Sequence, residues 1–221
     1  MQVNVVEKKE GEGAGIFRRM QYEISNIGKF DQYGMEELRR EAFRDFVPFL
    51  KKYKAQDIID IGCGRGYESK FLAKRGFNVT DLDIQRRQTT IVQKSAKEKR
   101  LDIDVILGDA IKLPVGDGKF DAALSLAVMV AFKSDERMKA VSEMERVLRS
   151  GGLILVILAS DDKAYSIKLR NDDGSVTNME KWQFSEKDMR EMFQNFEFLL
   201  LKKVTVAYDK NFWILVAKKM A

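Results

Sequence analysis

Short apolar runs separated by longer amphipathic stretches dominate the chain from residue 57 onward. Runs of this kind predict strands that are buried on both faces, and apolar positions three or four residues apart predict helices. The first five predicted strands cover residues 58–61, 76–83, 103–107, 120–126 and 153–158. Because helical segments separate them, the pattern predicts an α/β protein with a doubly wound, mostly parallel sheet and helices on both of its faces.

The C-terminal third predicts one helix followed by a pair of strands. Ser185 has an acidic residue three positions later, which is typical of a helix N-terminus, and the helix is expected to end near Asn195. Two apolar runs, 196–207 and 211–218, are joined by only a few residues, and so short a connection implies antiparallel pairing. The predicted sheet therefore has seven strands and ends in an antiparallel hairpin.

Three other segments have the spacing of helices, namely 17–27, 35–53 and 135–148. Pro48 is expected to kink or divide the second of them, because proline lacks the amide that an interior helical position uses. In the third segment, four residues at helical spacing are expected to pack in the core: Met138, Val141, Met144 and Val147.

A glycine-rich turn directly follows the first predicted strand and carries Asp60, Gly62, Cys63, Gly64 and Gly66. Glycine adopts the backbone angles of such a turn and lets a ligand lie against the main chain. The spacing departs from the dinucleotide fingerprint, because the third glycine comes one residue early. The carboxylate of Asp60 would repel a pyrophosphate but attract an ammonium group. The turn therefore favours S-adenosylmethionine over a dinucleotide, although a tight turn that binds nothing remains open on this segment alone.

A second carboxylate, Asp83, ends the second predicted strand. An acid about 20 residues beyond a glycine turn of this kind is placed to accept hydrogen bonds from both ribose hydroxyls of an adenosine. The alternative is a solvated aspartate at a strand end. Asp81 is expected to face solvent.

From about Asp57 to its C-terminus, the chain resembles the class I S-adenosylmethionine-dependent methyltransferases of the type 11-like group. Four landmarks carry this resemblance: the D-x-G-x-G-x-G turn at 60–66, the acid at 83, the Gly108-Asp109-Ala110 tripeptide, and Phe120-Asp121 at the start of the fourth strand. The resemblance implies a Rossmann-like fold and S-adenosylmethionine as the cofactor.

The resemblance also implies roles for individual residues. Asp109 would bind the adenine amino group, Ile84 would pack on the adenine ring, and Ala110 would contribute a backbone amide. The carboxyl end of the fourth strand would face the methyl group. The complete predicted cofactor site is Asp60, Gly62, Cys63, Gly64, Gly66, Asp83, Ile84, Gly108, Asp109, Ala110, Ser125 and Leu126.

The residues at the end of the fourth predicted strand limit which methyl acceptors are expected. Residues 125–128 read Ser-Leu-Ala-Val instead of an N-P-P-Y type tetrapeptide, which disfavours methylation of an amino-purine or a glutamine amide. Cys63 lies inside the cofactor turn and is expected to be a packed side chain and not a nucleophile. An oxygen, carboxylate or nitrogen acceptor on a small molecule is the favoured interpretation. No catalytic residue is assigned, because displacement at a sulfonium needs mainly alignment and exclusion of water.

Two segments outside the common sheet are expected to select the acceptor. In the N-terminal one, Phe30, Tyr33 and Arg39 would cover the methionine end of the cofactor or line the acceptor pocket, while core packing is equally compatible with the two aromatics. The other is an insert at 159–184 that contributes Tyr165 and Arg170 and is expected to cover the site. We accordingly divide a single domain, 1–221, into a helical cover (1–54), a cofactor-binding core (55–158), the insert (159–184), and a C-terminal helix with a hairpin (185–221).

Three alternatives remain open at this point. Residues 113–152 and 208–213 are similar to the tRNA methyltransferases that esterify a carboxymethyl group on wobble uridine, but Val130-Ala131 stands where those enzymes usually carry His-His. A non-catalytic, cofactor-binding partner subunit is the second alternative, and a nucleotide-dependent oxidoreductase is the third. The net charge of +5 is compatible with RNA binding, although Lys and Arg balanced by Asp and Glu are more typical of solvated helices.

Composition limits the remaining possibilities. The chain has 221 residues, of which 45% are apolar, enough for one domain with a sizeable core. It has one cysteine, no histidine and no apolar run of membrane-spanning length. We therefore expect a cytoplasmic protein with no metal site and no membrane segment.

Overall fold

The computed structural model describes residues 21–22, 27–132, 134–160, 166–170, 176–180, 183–206 and 210–220. Within these ranges the strands are β1 (Gln21–Tyr22), β2 (Asp57–Ile61), β3 (Asn78–Asp83), β4 (Ile103–Leu107), β5 (Phe120–Leu126), β6 (Leu148–Ala159), β7 (Ser166–Arg170), β8 (Val176–Glu180), β9 (Phe196–Val206) and β10 (Lys210–Lys219). The helices are α1 (Ile27–Lys52), α2 (Tyr67–Ala73), α3 (Arg86–Lys99), α4 (Ser134–Val147) and α5 (Glu186–Met192).

The main sheet has seven strands in the order β4-β3-β2-β5-β6-β10-β9. The first five strands of this order pair in parallel, and β10 pairs antiparallel with both β6 and β9. The predicted fold class is therefore confirmed, including the antiparallel C-terminal hairpin. The turn between its strands was expected at residues 208–210; residues 208 and 209 lie outside the described ranges, and Lys210 is already the first residue of β10.

The direction of winding changes between β2 and β5. The chain proceeds from β2 outward to β3 and β4, then returns to place β5 on the opposite side of β2. In open α/β sheets, ligands bind in the crevice that such a reversal creates at the carboxyl ends of the strands. The crevice here lies beyond Ile61 and Leu126.

Both faces of the sheet are covered by apolar side chains. Ile59 and Ile154 point into one hydrophobic cluster, and their neighbours in sequence, Ile58 and Leu155, point into another on the opposite face. All four side chains are inaccessible to solvent. Burial on both faces explains why the strands appear in the sequence as continuous apolar runs instead of alternating ones.

The N-terminal segment departs from the expected pair of helices. Gln21 and Tyr22 form a short strand that pairs antiparallel with β7, so the predicted helix at 17–27 is wrong at these positions. Together β1, β7 and β8 make a separate three-stranded sheet. The next helix, α1, begins at Ile27 instead of Met35, and Pro48 lies inside it without dividing it. The pairing of β1 is a long-range contact, which local spacing does not encode.

Helix α4 is rotated slightly from the expected orientation. Val141, Met144 and Val147 are buried as predicted, but Met138 is 40% exposed, so its assignment to the core is wrong. Its neighbour Arg137 takes the inward position: the guanidinium donates to the carbonyl oxygens of Met129 and Phe132. A buried arginine held by two carbonyl groups therefore sets which face of α4 packs on the sheet.

Candidate functional site

The glycine turn after β2 is held in place by the neighbouring strand β3. The amides of Gly62 and Cys63 both donate to the carbonyl oxygen of Leu82, at 2.7 and 3.0 Å. Gly62, Gly64 and Gly66 all have positive φ angles, of 78°, 53° and 64°. This backbone conformation is strained for residues with a side chain, which explains the spacing of the glycines.

The three glycines face different surroundings. A Cβ atom on Gly62 would lie 2.4 Å from Cγ2 of Val128, and one on Gly66 would lie 3.0 Å from Oδ2 of Asp81. A Cβ atom on Gly64 would meet nothing within 4 Å. Gly62 and Gly66 are thus required by internal packing, whereas Gly64 leaves an open backbone surface where a ligand can approach closely.

Asp83 joins the turn to the end of β3. Its Oδ2 accepts a hydrogen bond from the amide of Gly64 at 3.0 Å, and its Oδ1 accepts one from the amide of Gln85 at 2.8 Å. Burial raises the pKa of Asp83, and these backbone donors oppose that increase. Each oxygen has a second lone pair, so the carboxylate retains the capacity to accept two hydroxyl groups.

Asp60 lies beneath the turn and is 2% exposed. Its Oδ2 atom is buried and has no hydrogen-bond partner among the described residues. Burial raises the pKa of Asp60 well above its ordinary range, and the charges of Asp81, Glu68 and Asp83 raise it further, while Arg39 lowers it. A buried carboxylate with an unpaired oxygen and acidic neighbours is suited to bind a cationic group.

Asp81 is fully buried, so the expectation that it faces solvent is wrong. It lies in the interior of β3, a strand that is covered on both faces, and its Oδ2 accepts a hydrogen bond from the hydroxyl of Ser69 at 2.7 Å. Burial raises its pKa to about 7.

Cys63 is 3% exposed, as expected for a packed side chain. Burial and the charge of Asp81 both raise the pKa of its thiol. A thiol that is buried and held protonated is a poor nucleophile.

The residues expected to surround adenine lie at the ends of β3 and β4. Ile84 is 40% exposed, a high fraction for a large apolar side chain beside a buried carboxylate. Gly108 donates its amide to the carbonyl oxygen of Asp83 at 3.0 Å, which ties the two strand ends together. Asp109 accepts from the amide of Ile111 through Oδ1, and Ala110 is 8% exposed. These residues form one edge of the crevice, with Ile84 as its exposed apolar surface.

The end of β5 forms the opposite edge. Ser125 is 1% exposed, and Leu126 is partly buried. The next residue, Ala127, has a φ angle of 59° although it carries a side chain, and its amide donates to the carbonyl oxygen of Ile157 at 3.0 Å. A strained residue at the carboxyl end of a central strand is typical of a functional site. Here it turns the chain so that Val128 packs on Gly62.

Helix α1 reaches the site through Arg39. Its Nε donates to Oε1 of Glu68, and its guanidinium lies 4.8 Å from the ring centre of Tyr67. Glu68 is only 6% exposed, so this ion pair neutralises a buried charge directly after the glycine turn. Arg39 therefore lies beside the first turn of α2, directly after the glycine turn. Its assignment to the methionine end of the cofactor or to the acceptor pocket stays a prediction.

For four of the residues predicted to contact the methyl acceptor, the structure describes no side chain. Phe30, Tyr33 and Arg170 belong to described elements, but their side chains are not described, and Tyr165 falls wholly outside the described ranges. Their assignment to the acceptor pocket stays a prediction.

Three residues that touch the site were not singled out from the sequence: Glu68, Ser69 and Val128. Glu68 and Ser69 occupy the first turn of α2 and contact Arg39 and Asp81. Polar residues in the first helical turn after a glycine loop are a signal that could have identified them. Val128 carries no comparable signal, because its contact with Gly62 depends on how β5 ends.

Comparison with known proteins identifies the family. Residues 59–156 match the model of a methyltransferase domain. The chain is similar to a demethylmenaquinone methyltransferase of Renibacterium salmoninarum, with 32% identity over 156 residues, 68% of this chain and 60% of that protein. It is also similar to a malonyl-[acyl-carrier protein] O-methyltransferase of Hamiltonella defensa, with 36% identity over 118 residues, 53% of this chain and 43% of that protein.

A solved S-adenosylmethionine-dependent methyltransferase of Methanosarcina mazei has the same fold, with a TM-score of 0.66, 22% identity, and coverage of 78% of this chain and 97% of that one. Residues 59–156 thus form a methyltransferase domain, and the resemblance to the class I S-adenosylmethionine-dependent methyltransferases that the four sequence landmarks carry is confirmed. The cofactor of this class of enzymes is S-adenosylmethionine. The chain spans 60% of the length of the first curated relative that it matches.

Two features are absent from the described residues. No helix in the ranges that the structure covers is long and apolar enough to span a membrane. In the same part of the chain, no three His, Cys, Asp or Glu side chains are grouped in a way that could hold a metal ion.

Proposed function

We propose that this protein binds S-adenosylmethionine at the carboxyl edge of β2, β3 and β4 and transfers its methyl group to an oxygen, carboxylate or nitrogen atom of a small molecule. The observation that carries this proposal is the buried, unpartnered Oδ2 of Asp60 beneath the glycine turn. A buried acceptor without a partner is costly, and a ligand that carries an ammonium group removes that cost.

The described residues fit the cofactor at each of its parts. Asp60 and the backbone of Gly62, Cys63, Gly64 and Gly66 would hold the methionine moiety, where Gly64 leaves open space. Asp83 would accept the ribose hydroxyls. Adenine would lie against Ile84, with Gly108, Asp109 and Ala110 along its edge. Ser125 and Leu126 would border the methyl group.

When bound, the cofactor supplies an activated methyl group on a sulfonium with a good leaving group. The protein's own contribution is to orient the acceptor in line with that group and to exclude water. The chain has no histidine, so an acceptor that arrives already deprotonated, or as a neutral amine, fits the site best. The names of the relatives, one of them an O-methyltransferase, support a small-molecule or carrier-bound acceptor.

The test has a binding stage and a transfer stage. We expect the product S-adenosylhomocysteine to bind in isothermal titration calorimetry with a dissociation constant in the micromolar range, and Asp83→Ala and Gly64→Val to abolish that binding. Asp102→Ala, which changes an exposed aspartate on the loop before β4, is the matched control. If Asp83→Ala and Gly64→Val both bind as well as the parent, the site is wrongly placed.

For the transfer stage, the protein is incubated with the radiolabelled methyl donor and fractionated cell extract. Label in the small-molecule fraction supports the proposal. Label in RNA would instead identify the tRNA alternative, and binding without label in any fraction would identify a non-catalytic subunit. A flat affinity for labelled tRNA across a salt series would exclude an RNA acceptor.

A further inference from the structure

We propose that Asp60 and Asp81 share one proton in the free protein, and that Asp60 releases this proton to solvent when the ammonium group of the cofactor binds to it. This inference rests on the proposed function, since it concerns the same site. It assigns Asp81 as a positioning residue, one that acts on the cofactor through Asp60.

The geometry of the sheet places the two carboxyl groups side by side. Asp60 on β2 and Asp81 on β3 are direct partners in a parallel pair of strands. Side chains of directly paired residues lie on the same face of a sheet, with the strands about 4.8 Å apart. Both residues are almost inaccessible to solvent, with exposed fractions of 2% and 0%.

Each of the two carboxyl groups keeps one buried oxygen without a hydrogen-bond partner, Oδ2 in Asp60 and Oδ1 in Asp81. Two neighbouring carboxylates in a dry environment cannot both ionise at low cost, because each charge destabilises the other. One proton held between them leaves the pair with a single negative charge and offsets part of the cost of burying the two carboxyl groups. The apparent pKa values then belong to the pair and not to either residue.

The surroundings of the pair favour retention of that proton. The described charged or titratable groups that act on the pair are Arg39 from α1, Cys63 from the turn, Glu68 and Lys70 from α2, and Asp83 from the end of β3. The negative charge of Glu68 is balanced by its ion pair with Arg39. Burial raises the pKa of both Asp60 and Asp81, and that of Asp81 lies at about 7.

The exchange conserves charge in the site. In the free protein the pair carries one proton and one negative charge. On binding, an O–H bond in the pair breaks, the proton passes to the buffer, and an ion pair forms between the ammonium group and the Asp60 carboxylate. The site thus keeps one net negative charge, with the ammonium in place of the proton. In a buried site of low polarity, replacing the proton by the ammonium group costs less free energy than changing the net charge of the site.

The experiment measures proton release on binding of S-adenosylhomocysteine by calorimetry, in buffers that differ in ionisation enthalpy. At about pH 6.5, we expect about one proton to be released for each ligand bound. Below the pKa of the pair, we expect the affinity to rise about tenfold for each unit by which the pH increases. 5′-Methylthioadenosine, which contains the adenosine part but no ammonium group, should bind without releasing a proton.

Asp81→Asn should reduce the release to less than about half a proton at the same pH, because an amide replaces the neighbouring carboxylate and lets Asp60 ionise more easily. It should also tighten binding of S-adenosylhomocysteine at acidic pH, whereas loss of a purely structural residue would weaken it. Asp104→Asn, on the exposed side of β4, is the matched control and should leave the release unchanged.

Ser69→Ala provides an independent variant if Asp81→Asn fails to fold. The hydroxyl of Ser69 stabilises the ionised form of Asp81, so its removal should shift the pH dependence of binding toward higher pH. If both ligands bind but neither variant changes the release or its pH dependence, the inference is wrong while the proposed function stands. If neither ligand binds at any pH, the proposed function itself has failed.

Discussion

The close packing of Val128 on Gly62 allows the loss of stability in Gly62→Ala to be predicted quantitatively. The added Cβ atom would lie 2.4 Å from Cγ2 and 3.1 Å from Cγ1 of Val128, at a φ angle of 78°. A positive φ angle costs a residue with a side chain about 1 kcal/mol. Overpacking of this kind adds about 1–3 kcal/mol. We therefore expect Gly62→Ala to lower the free energy of unfolding by about 2–4 kcal/mol, measured by urea denaturation.

Gly64→Ala is the matched control for this prediction. Its φ angle is also positive, but its Cβ atom would meet nothing within 4 Å. Gly64→Ala should therefore lower the free energy of unfolding by only about 1 kcal/mol, the cost of a positive φ angle for a residue with a side chain. It also places a methyl group on the surface proposed to bind the cofactor. Gly62→Ala should mainly lower stability, and Gly64→Ala should mainly weaken binding.

A second substitution tests the cause directly. Val128→Ala removes the two methyl groups that collide with the new Cβ atom, so the Gly62→Ala/Val128→Ala double variant should be more stable than the sum of the single effects by at least about 1 kcal/mol. The reasoning would be refuted if Gly62→Ala were no more destabilising than Gly64→Ala, or if the two substitutions were simply additive.

Four further outcomes are expected. Asp83→Ala should weaken binding of S-adenosylhomocysteine at least about 100-fold, so that calorimetry no longer detects it, because charged hydrogen-bond acceptors are lost. Arg39→Gln should lower the free energy of unfolding by about 1–3 kcal/mol in urea, because the buried Glu68 loses its partner. Ala127→Val should lower the melting temperature by a few degrees, whereas Ala127→Gly should leave it unchanged or raise it. Because burial raises the pKa of Asp81 to about 7 in the folded protein, its stability without ligand should fall as the pH rises from about 4 to about 7, and Asp81→Asn should flatten this decline in thermal melts.

The strands and the family could be predicted from the sequence because both depend on local patterns. Parallel strands buried on both faces must be apolar throughout, and the predicted run at 103–107 matches β4 residue for residue. The N-terminus of α5 could also be predicted, because Ser185 and Asp188 form the reciprocal cap that their spacing predicts. These features require only neighbouring residues.

Features that depend on distant contacts were missed or wrongly assigned. Met138 has the spacing of a core residue, yet Arg137 takes the inward position by donating to carbonyl groups near the end of β5. The strand at Gln21 pairs with β7, about 150 residues along the chain, which no local pattern encodes. Tertiary contacts outweighed local preference in both cases.

The candidate site also combines features that local sequence predicts with features that depend on distant contacts. Local sequence is enough to place the glycine turn and Asp83 at the carboxyl edge of the sheet, because each of them follows a recognisable strand. The burial of Asp81 beside Asp60 depends instead on the register of two strands and on the helix that covers them, which local sequence does not encode. Periodicity specifies where side chains can point, whereas their charge environment is set by segments that are far apart in the chain.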